Sequence, residues 1–281
     1  MILSIRRIAI VGDLHGSWSI GDHELLQALS PDAVLFVGDL GDGDLRIVKS
    51  IKKLSIPTAV ILGNHDRAKD RTGELLRVQL NLFGDLHCGW TMRKWRNPNV
   101  GVVGARPCSS GGGFHLSPEV LGVFGPITLK ESVRRIVEAA EEVPPTTPLV
   151  ILAHVGPTGL GSQVDSICGR DWKPPSMDWG DKDLEIALDQ IRKRRIPDLV
   201  VFGHMHHELK SGSRNRHTFL KDRWGTVYLN AACVPRKFKE LNGDMLTHLS
   251  WVEFVDDQLV YVSHRWFKSD YSLAYEKVLL S

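Results

Sequence analysis

The chain has 281 residues, 42% of them hydrophobic and 24% charged, with 26 glycines and 14 prolines. That balance belongs to an ordinary globular protein and excludes disorder, collagen-like repeats and low complexity. Lysine and arginine number 35 against 33 aspartates and glutamates, an excess that demands neither nucleic acid nor an anionic membrane as partner.

The first third reads as alternating strand and helix. Ile8–Val11, Ala33–Val37 and Thr58–Leu62 are short apolar runs, while Asp22–Leu29, Leu45–Leu54 and Arg71–Phe83 have helical spacing. Such alternation predicts a largely parallel, buried sheet. Val100–Gly104 is a further strand, followed by the Gly/Ser-rich stretch Cys108–Gly113, which is either a flexible surface connection or a substrate lid. Leu129–Glu142 is a helix broken by P-P-T-T-P (144–148), and Leu149–Ala153 is a strand. Asp181–Arg195 is a helix whose basic end, Arg192–Arg195, we assign to the negative pole of the helix dipole rather than to nucleic acid. Leu199–Phe202 is a strand, and Thr226–Asn230, Trp251–Val255 and Leu259–Ser263 read as late antiparallel strands.

No internal repeat or composition break appears, so residues 1–281 are expected to form one domain. Within it, a loop region near 104–125 and a basic segment near 208–223 stand out. Cys88, Cys108, Cys168 and Cys233 make no C-x-x-C pair, which favours a reducing compartment over a disulfide framework. No apolar run approaches the roughly 18 residues of a membrane span, and MILSIRRIAIVGD lacks signal-peptide architecture. The expected location is the cytoplasm, or the plastid stroma for a processed organellar protein.

The first few residues after each strand carry the chemistry. Asp13 and His15 come after the first, Asp39 after the second, and Asn64, His65 and Asp66 after the third. His154 comes directly after Leu149–Ala153, and His204 and His206 just after Leu199–Phe202. Ligands bind where such strand-end loops converge. Imidazole mixed with carboxylate, without thiolate, suits manganese, iron or zinc. Seven candidate ligands exceed one four-coordinate ion and suit two ions sharing a carboxylate, as in in-line displacement at phosphorus. Glycines just before Asp13, Asp39, Asn64 and His204 permit close backbone approach there.

Asp13-x-His15, Gly38-Asp39-x-x-Asp42, Gly63-Asn64-His65-Asp66, His154 and Gly203-His204-x-His206 resemble, in order, the five motifs of the calcineurin-like metallophosphoesterase superfamily. The chain also resembles a branch seen in cyanobacteria and plastids. The resemblance implies an α/β fold, a four-layer αββα double β-sandwich with metals at one edge. The late strands would build its second sheet. It implies that Asp13, His15, Asp39 and His206 hold one divalent ion and Asp39, Asn64, His154 and His204 the other, with Asp39 bridging. Manganese is the first expectation, iron or zinc the alternatives. His65 resembles the catalytic histidine and Asp66 the carboxylate that orients its ring.

The function expected is hydrolysis of a phosphate mono- or diester, on a phosphorylated small molecule or a nucleotide, with nucleic acid still open. A metal-bridging water, acidified toward a pKa of about 7, would attack as hydroxide, and His65 would protonate the departing alkoxide. The other reading is a silent scaffold or protein-binding module on the same fold. Lys210, Arg214, Arg216, Lys221 and Arg223 form either a cationic substrate side or a plain solvated loop, and Arg106 is a further phosphate candidate. Asp42 either orients a ligand or caps the helix starting near Asp44, and we take the cap. Alternation turns His207 away from the site. His23, His87, His115, His217, His248 and His264 are read as ordinary surface or core histidines.

Overall fold

The computed structural model describes residues 4–281 except 69, 96, 213 and 242. Met1–Leu3, the start of the expected domain and of the amino-terminal stretch, lie outside the described residues.

The first sheet starts from β1 (Ile5–Val11), whose buried half Ile8–Val11 pairs parallel with β2 (Ala33–Phe36), and β2 in turn with β3 (Thr58–Val60). The other edge of β1 is taken by the antiparallel β11 (Met245–Val255), from Ile5 opposite Val255 to Ile10 opposite Ser250. Beyond it lie β12 (Gln258–Phe267) and β13 (Leu273–Leu280), with β10 (Lys237–Lys239) also on β11. The two last strands expected from the sequence therefore extend the first sheet and do not build the second. A buried parallel strand needs a hydrogen-bonding neighbour on each side, and β11 supplies the one that β1 lacks.

The second sheet has a parallel centre of β5 (Gly101–Gly104), β6 (Leu149–Leu152), β7 (Leu199–Phe202) and β9 (Val227–Asn230). Antiparallel β4 (Met92–Lys94) and β8 (Phe219–Lys221) form its edges. Thr226–Asn230 thus runs parallel to its inner neighbour, against the expected sense. One cluster of buried apolar side chains draws on both sheets and on the helices. The layering is the double sandwich, with helices outside the sheets.

The helices are α1 (Ile20–Leu29), α2 (Leu45–Ile51), α3 (Glu74–Phe83), α4 (Pro118–Phe124), α5 (Leu129–Glu141) and α6 (Lys182–Ile191). Asp44, not Asp42, caps α2, accepting the Arg46 N–H at 2.8 Å. Helix α4 escaped the sequence reading although Ser117 and Pro118 spell a start signal, the Ser hydroxyl accepting the Val120 N–H. The basic end of α6 makes specific bonds. Arg192 pairs with Asp189 and Asp222, and Arg195 donates to the Pro144 and Thr147 carbonyls at 2.9 and 2.6 Å. No helix among the described residues is long and apolar enough to cross a membrane.

Candidate metal centre

The motif residues lie in loops at the carboxyl ends of β1, β2 and β3 in one sheet and of β6 and β7 in the other. Short turns aim them back over the strand ends. His15, Asp39, Asp42 and His204 adopt left-handed φ values of 43°, 50°, 51° and 65°, a region that non-glycine residues rarely occupy outside constrained sites. Gly38 and Gly63 leave room for this crowding. A Cβ on Gly38 would sit 2.6 Å from the Gly63 nitrogen and 2.8 Å from His154 Nδ1.

The donor atoms converge in three overlapping groups, one of which joins His65 to His15 and Asp39. Asp13, His15 and His206 bring one donor each within 4.8 Å of one another, and so do Asp39, His154 and His204. His15 Nε2 lies 3.2 Å from His206 Nε2, and His206 Nε2 lies 3.8 Å from Asp13 Oδ2. In the last group His154 Nε2 is 3.3 Å from Asp39 Oδ1 and 3.0 Å from Asn64 Oδ1. Such spacings match donors arranged around an ion with bonds of about 2.0–2.2 Å. Asp39 offers one oxygen to each side, Oδ1 toward His154 and Oδ2 3.9 Å from His15 Nε2. His154 Nδ1–H donates to the Val37 carbonyl at 2.7 Å, which leaves Nε2 to face the cluster. The residues fit a dimetal centre.

Burial and mutual charge pull the cluster's protonation equilibria apart. Burial, with Asp39 adding to it, pushes Asp13 up to about 8. Burial would lower His154, but the Asp39 carboxylate overcomes this and raises it to about 10. Burial likewise raises Asp39, yet the His154 charge outweighs it and holds Asp39 well below the usual carboxylate range. Burial drops His204 to about 3 and His206 to about 4. Burial thus disfavours the charged forms of Asp13, His204 and His206, while Asp39 and His154 hold each other charged.

His65 stands beside this cluster, its ring edge-on to His15 with centroids 5.1 Å apart. The expected role of Asp66 is corrected here. The partner of His65 Nδ1 is Asp42 Oδ1, at 2.9 Å. Asp66 is fully buried and accepts the Leu40, Gly41 and Gly63 N–H groups at 2.8, 3.3 and 2.8 Å, tying two ligand loops together. Asp42 is thus an orienting carboxylate and not the helix cap.

The arginine expectations also change. Arg106 is 1% exposed and spends its guanidinium on Asp181 at 2.6 Å, Asp183 at 3.0 Å and the His115 and Gly113 carbonyls, so no phosphate can reach it. Arg216 is buried too. It donates to the carbonyls of His206, Val164, Ser166 and Gly169 and lies 3.3 Å from Asp171, bracing the loop that carries His206. Arg214 is exposed, pairs with Asp165 at 3.3 Å and is not among the residues lining the metal-side cavity.

That cavity, of about 320 Å3, is lined by Asp39, His65, His204 and His206 and also by Trp172, Trp179 and Lys210. The stretch Cys108–Gly113 is tied to the cavity's rim: Trp179 Nε1 donates to the Ser110 carbonyl at 2.8 Å, the Gly112 N–H donates to the Trp179 carbonyl at 2.7 Å, and Ser110 joins the lining. His207 does turn away, donating to the Asn230 carbonyl and stacking toward His264, with centroids 4.8 Å apart. It lines a larger cavity of about 650 Å3 that shares Glu208 and Arg216 but none of the ligand set. Sequence reasoning missed Asn230, whose side chain donates to the Met205 carbonyl at 2.6 Å and holds the G-H-M-H loop. The signal was its place at a strand's carboxyl end. The two tryptophans gave none, lying in an irregular, proline-containing stretch.

A family model for calcineurin-like phosphoesterases matches residues 6–208. Among solved structures, a dimetal phosphatase from Danio rerio superposes with a TM-score of 0.57 at 11% identity, covering 98% of each chain. A purple acid phosphatase from yellow lupin seeds gives 0.54 at 16% identity, over 99% of this chain and 54% of that one. The protein TT1561 of Thermus thermophilus gives 0.52 at 15% identity, over 87% and 95%. No curated protein matches the sequence.

Proposed function

Because the chain belongs to the calcineurin-like phosphoesterase family, we propose that it hydrolyses a phosphate mono- or diester with two divalent ions, manganese first and iron or zinc as alternatives. The observation that carries the reading is the placement of Asp39, one carboxylate oxygen toward each donor group, with His65 beside them. Asp13, His15, Asp39 and His206 would hold one ion, and Asp39, Asn64, His154 and His204 the other. When bound, such a pair supplies a nucleophile at neutral pH and positive charge for the developing oxyanion. The chain's own part is positional. Asp42 would hold the His65 ring by accepting from Nδ1–H, which leaves Nε2 free to take up a proton and, from the imidazolium so formed, give it to the departing alkoxide. We take residues 1–281 as one domain, since β11 completes the sheet that β1 begins. Three buried, unpaired cysteines, Cys88, Cys108 and Cys168, favour the reducing cytoplasm.

The test is hydrolysis of p-nitrophenyl phosphate and its bis-ester with manganese, iron, zinc or magnesium, with and without chelator. Activity should vanish with chelator and in Asp39→Asn. His65→Ala should lower turnover about 10²–10⁴-fold with metal content intact. Full metal loading with no turnover on any ester would favour the scaffold.

A further inference from the structure

The cavity that holds the ligand set also has an aromatic part to its lining. Trp172 and Trp179 stand there edge to face, centroids 5.2 Å apart, and Trp172 is 40% exposed. A single exposed tryptophan is ordinary in itself. What sets this one apart is the rigidity of its support. Beyond its bonds to Ser110 and Gly112, Trp179 donates its backbone N–H to the Cys168 carbonyl at 2.9 Å, and the Arg170 guanidinium covers its ring at 5.0 Å. Gly112 is left-handed, with φ of 71°, and a Cβ there would stand 2.9 Å from Trp179 Cζ2. The residue before Trp172 is pinned as well, since the Asp171 carboxylate accepts the Lys210 N–H at 2.8 Å and faces Arg216. An aromatic surface already fixed at a phosphate site loses little conformational freedom when a ligand stacks on it.

The charges in that lining narrow the ligand further. Arg216 is consumed by backbone carbonyls and Asp171. Among the described residues lining the cavity, Lys210 and Arg216 stand against the Glu208 and Asp171 carboxylates, two charges of each sign. A second anionic group on the substrate would find no surplus cation among these four, whereas hydroxyls and a flat ring need none. A volume of about 320 Å3 lies at the small end of ligand sites and suits one small molecule rather than a polymer.

Resting on the phosphoesterase reading of the site, we propose that the substrate is a phosphate ester whose remaining part is neutral and carries a planar aromatic ring, the chemistry shared by a nucleoside monophosphate and an aryl phosphate. Trp172 is the stacking surface that sets this preference.

The test is calorimetric binding of AMP, phenyl phosphate and ribose 5-phosphate to the manganese-loaded protein in a His65→Ala background, where the ligands persist. AMP should bind about tenfold or more tightly than ribose 5-phosphate, from which it differs by the base alone. Trp172→Ala should bring that ratio close to one, and Trp172→Phe should keep most of it. A merely structural role would weaken both ligands alike and leave the ratio unchanged. AMP ahead of phenyl phosphate identifies the nucleoside as the source of the ring, and the reverse order identifies the aryl ester. A wild-type ratio near one, or a ratio that survives Trp172→Ala, overturns the proposal. Selective, Trp172-dependent binding of AMP with no metal-dependent turnover of any ester in the parent protein would sink the phosphoesterase reading, and with it AMP as a substrate, and leave only Trp172 as a stacking site for a ligand.

Discussion

His65 and its orienting carboxylate come from different strand-end loops, and this decides which aspartate matters for turnover. Asp42→Asn should lower kcat about 10–100-fold with both ions retained, the usual effect of losing a group that orients a catalytic one. Asp66→Asn should act on stability. It replaces one of the two accepting oxygens by NH2, so that at least one of the three backbone amides loses its acceptor, at a cost of about 1–3 kcal/mol, seen as a lower Tm. If Asp66→Asn alone abolished turnover in a fully folded, metal-loaded protein, the two aspartates would have to exchange roles. The ligand set was legible in the sequence because each member comes directly after a short apolar run, and a parallel sheet brings all such ends to one edge. The partner of His65 was not legible. It hangs on the left-handed backbone of Asp42, and no spacing rule reports a single φ.

The elements differ in how plainly they announce themselves. Strands such as Leu149–Leu152 and Leu199–Phe202 are wholly buried and read as continuous apolar runs. Strand β13 is mostly exposed on both faces, so it shows no alternation and was missed. The junction of α1 with β10 was equally hidden, because Asp22 and Arg236 are over two hundred residues apart. Their side chains meet at 2.6 Å, each 1% exposed, and Lys237 adds a second bond to Asp22 at 2.5 Å. Burial would raise the Asp22 pKa, but Arg236 and Lys237 outweigh it and hold it below the ordinary value. Asp22→Asn strands a buried guanidinium and should cost about 3–5 kcal/mol. A group with a lowered folded pKa stabilises fully above its unfolded value of about 4 and loses that contribution as the pH falls toward the folded one. The Tm gap between wild type and Asp22→Asn should therefore be wide at pH 7 and narrow in acid. A gap that does not change with pH would mean that charge is not what joins these elements.

On the scale of the whole molecule, the metal centre is a seam. Asp13, Asp39 and Asn64 belong to one sheet, and His154, His204 and His206 to the other. Ions held across that seam stabilise only the folded state, by about 2.7 kcal/mol at a concentration a hundredfold above Kd. Chelation should lower Tm by roughly 5–10 °C for a chain of this size, and His206→Ala should shrink that shift. An unchanged Tm on chelation would mean that no ion is bound preferentially by the folded state. The pairing of β1 with β11 sets a further condition, one of time. During synthesis β1 emerges more than two hundred residues before the strand that closes its edge. At about 5–20 residues per second, the nascent chain carries that open edge for roughly 10–50 s, and an unpaired strand edge invites pairing with other chains. A ribosome-bound chain stalled at residue 208, where the family match ends, already contains every metal-ligand position. It should nevertheless remain sensitive to protease until residue 255 is free of the exit tunnel.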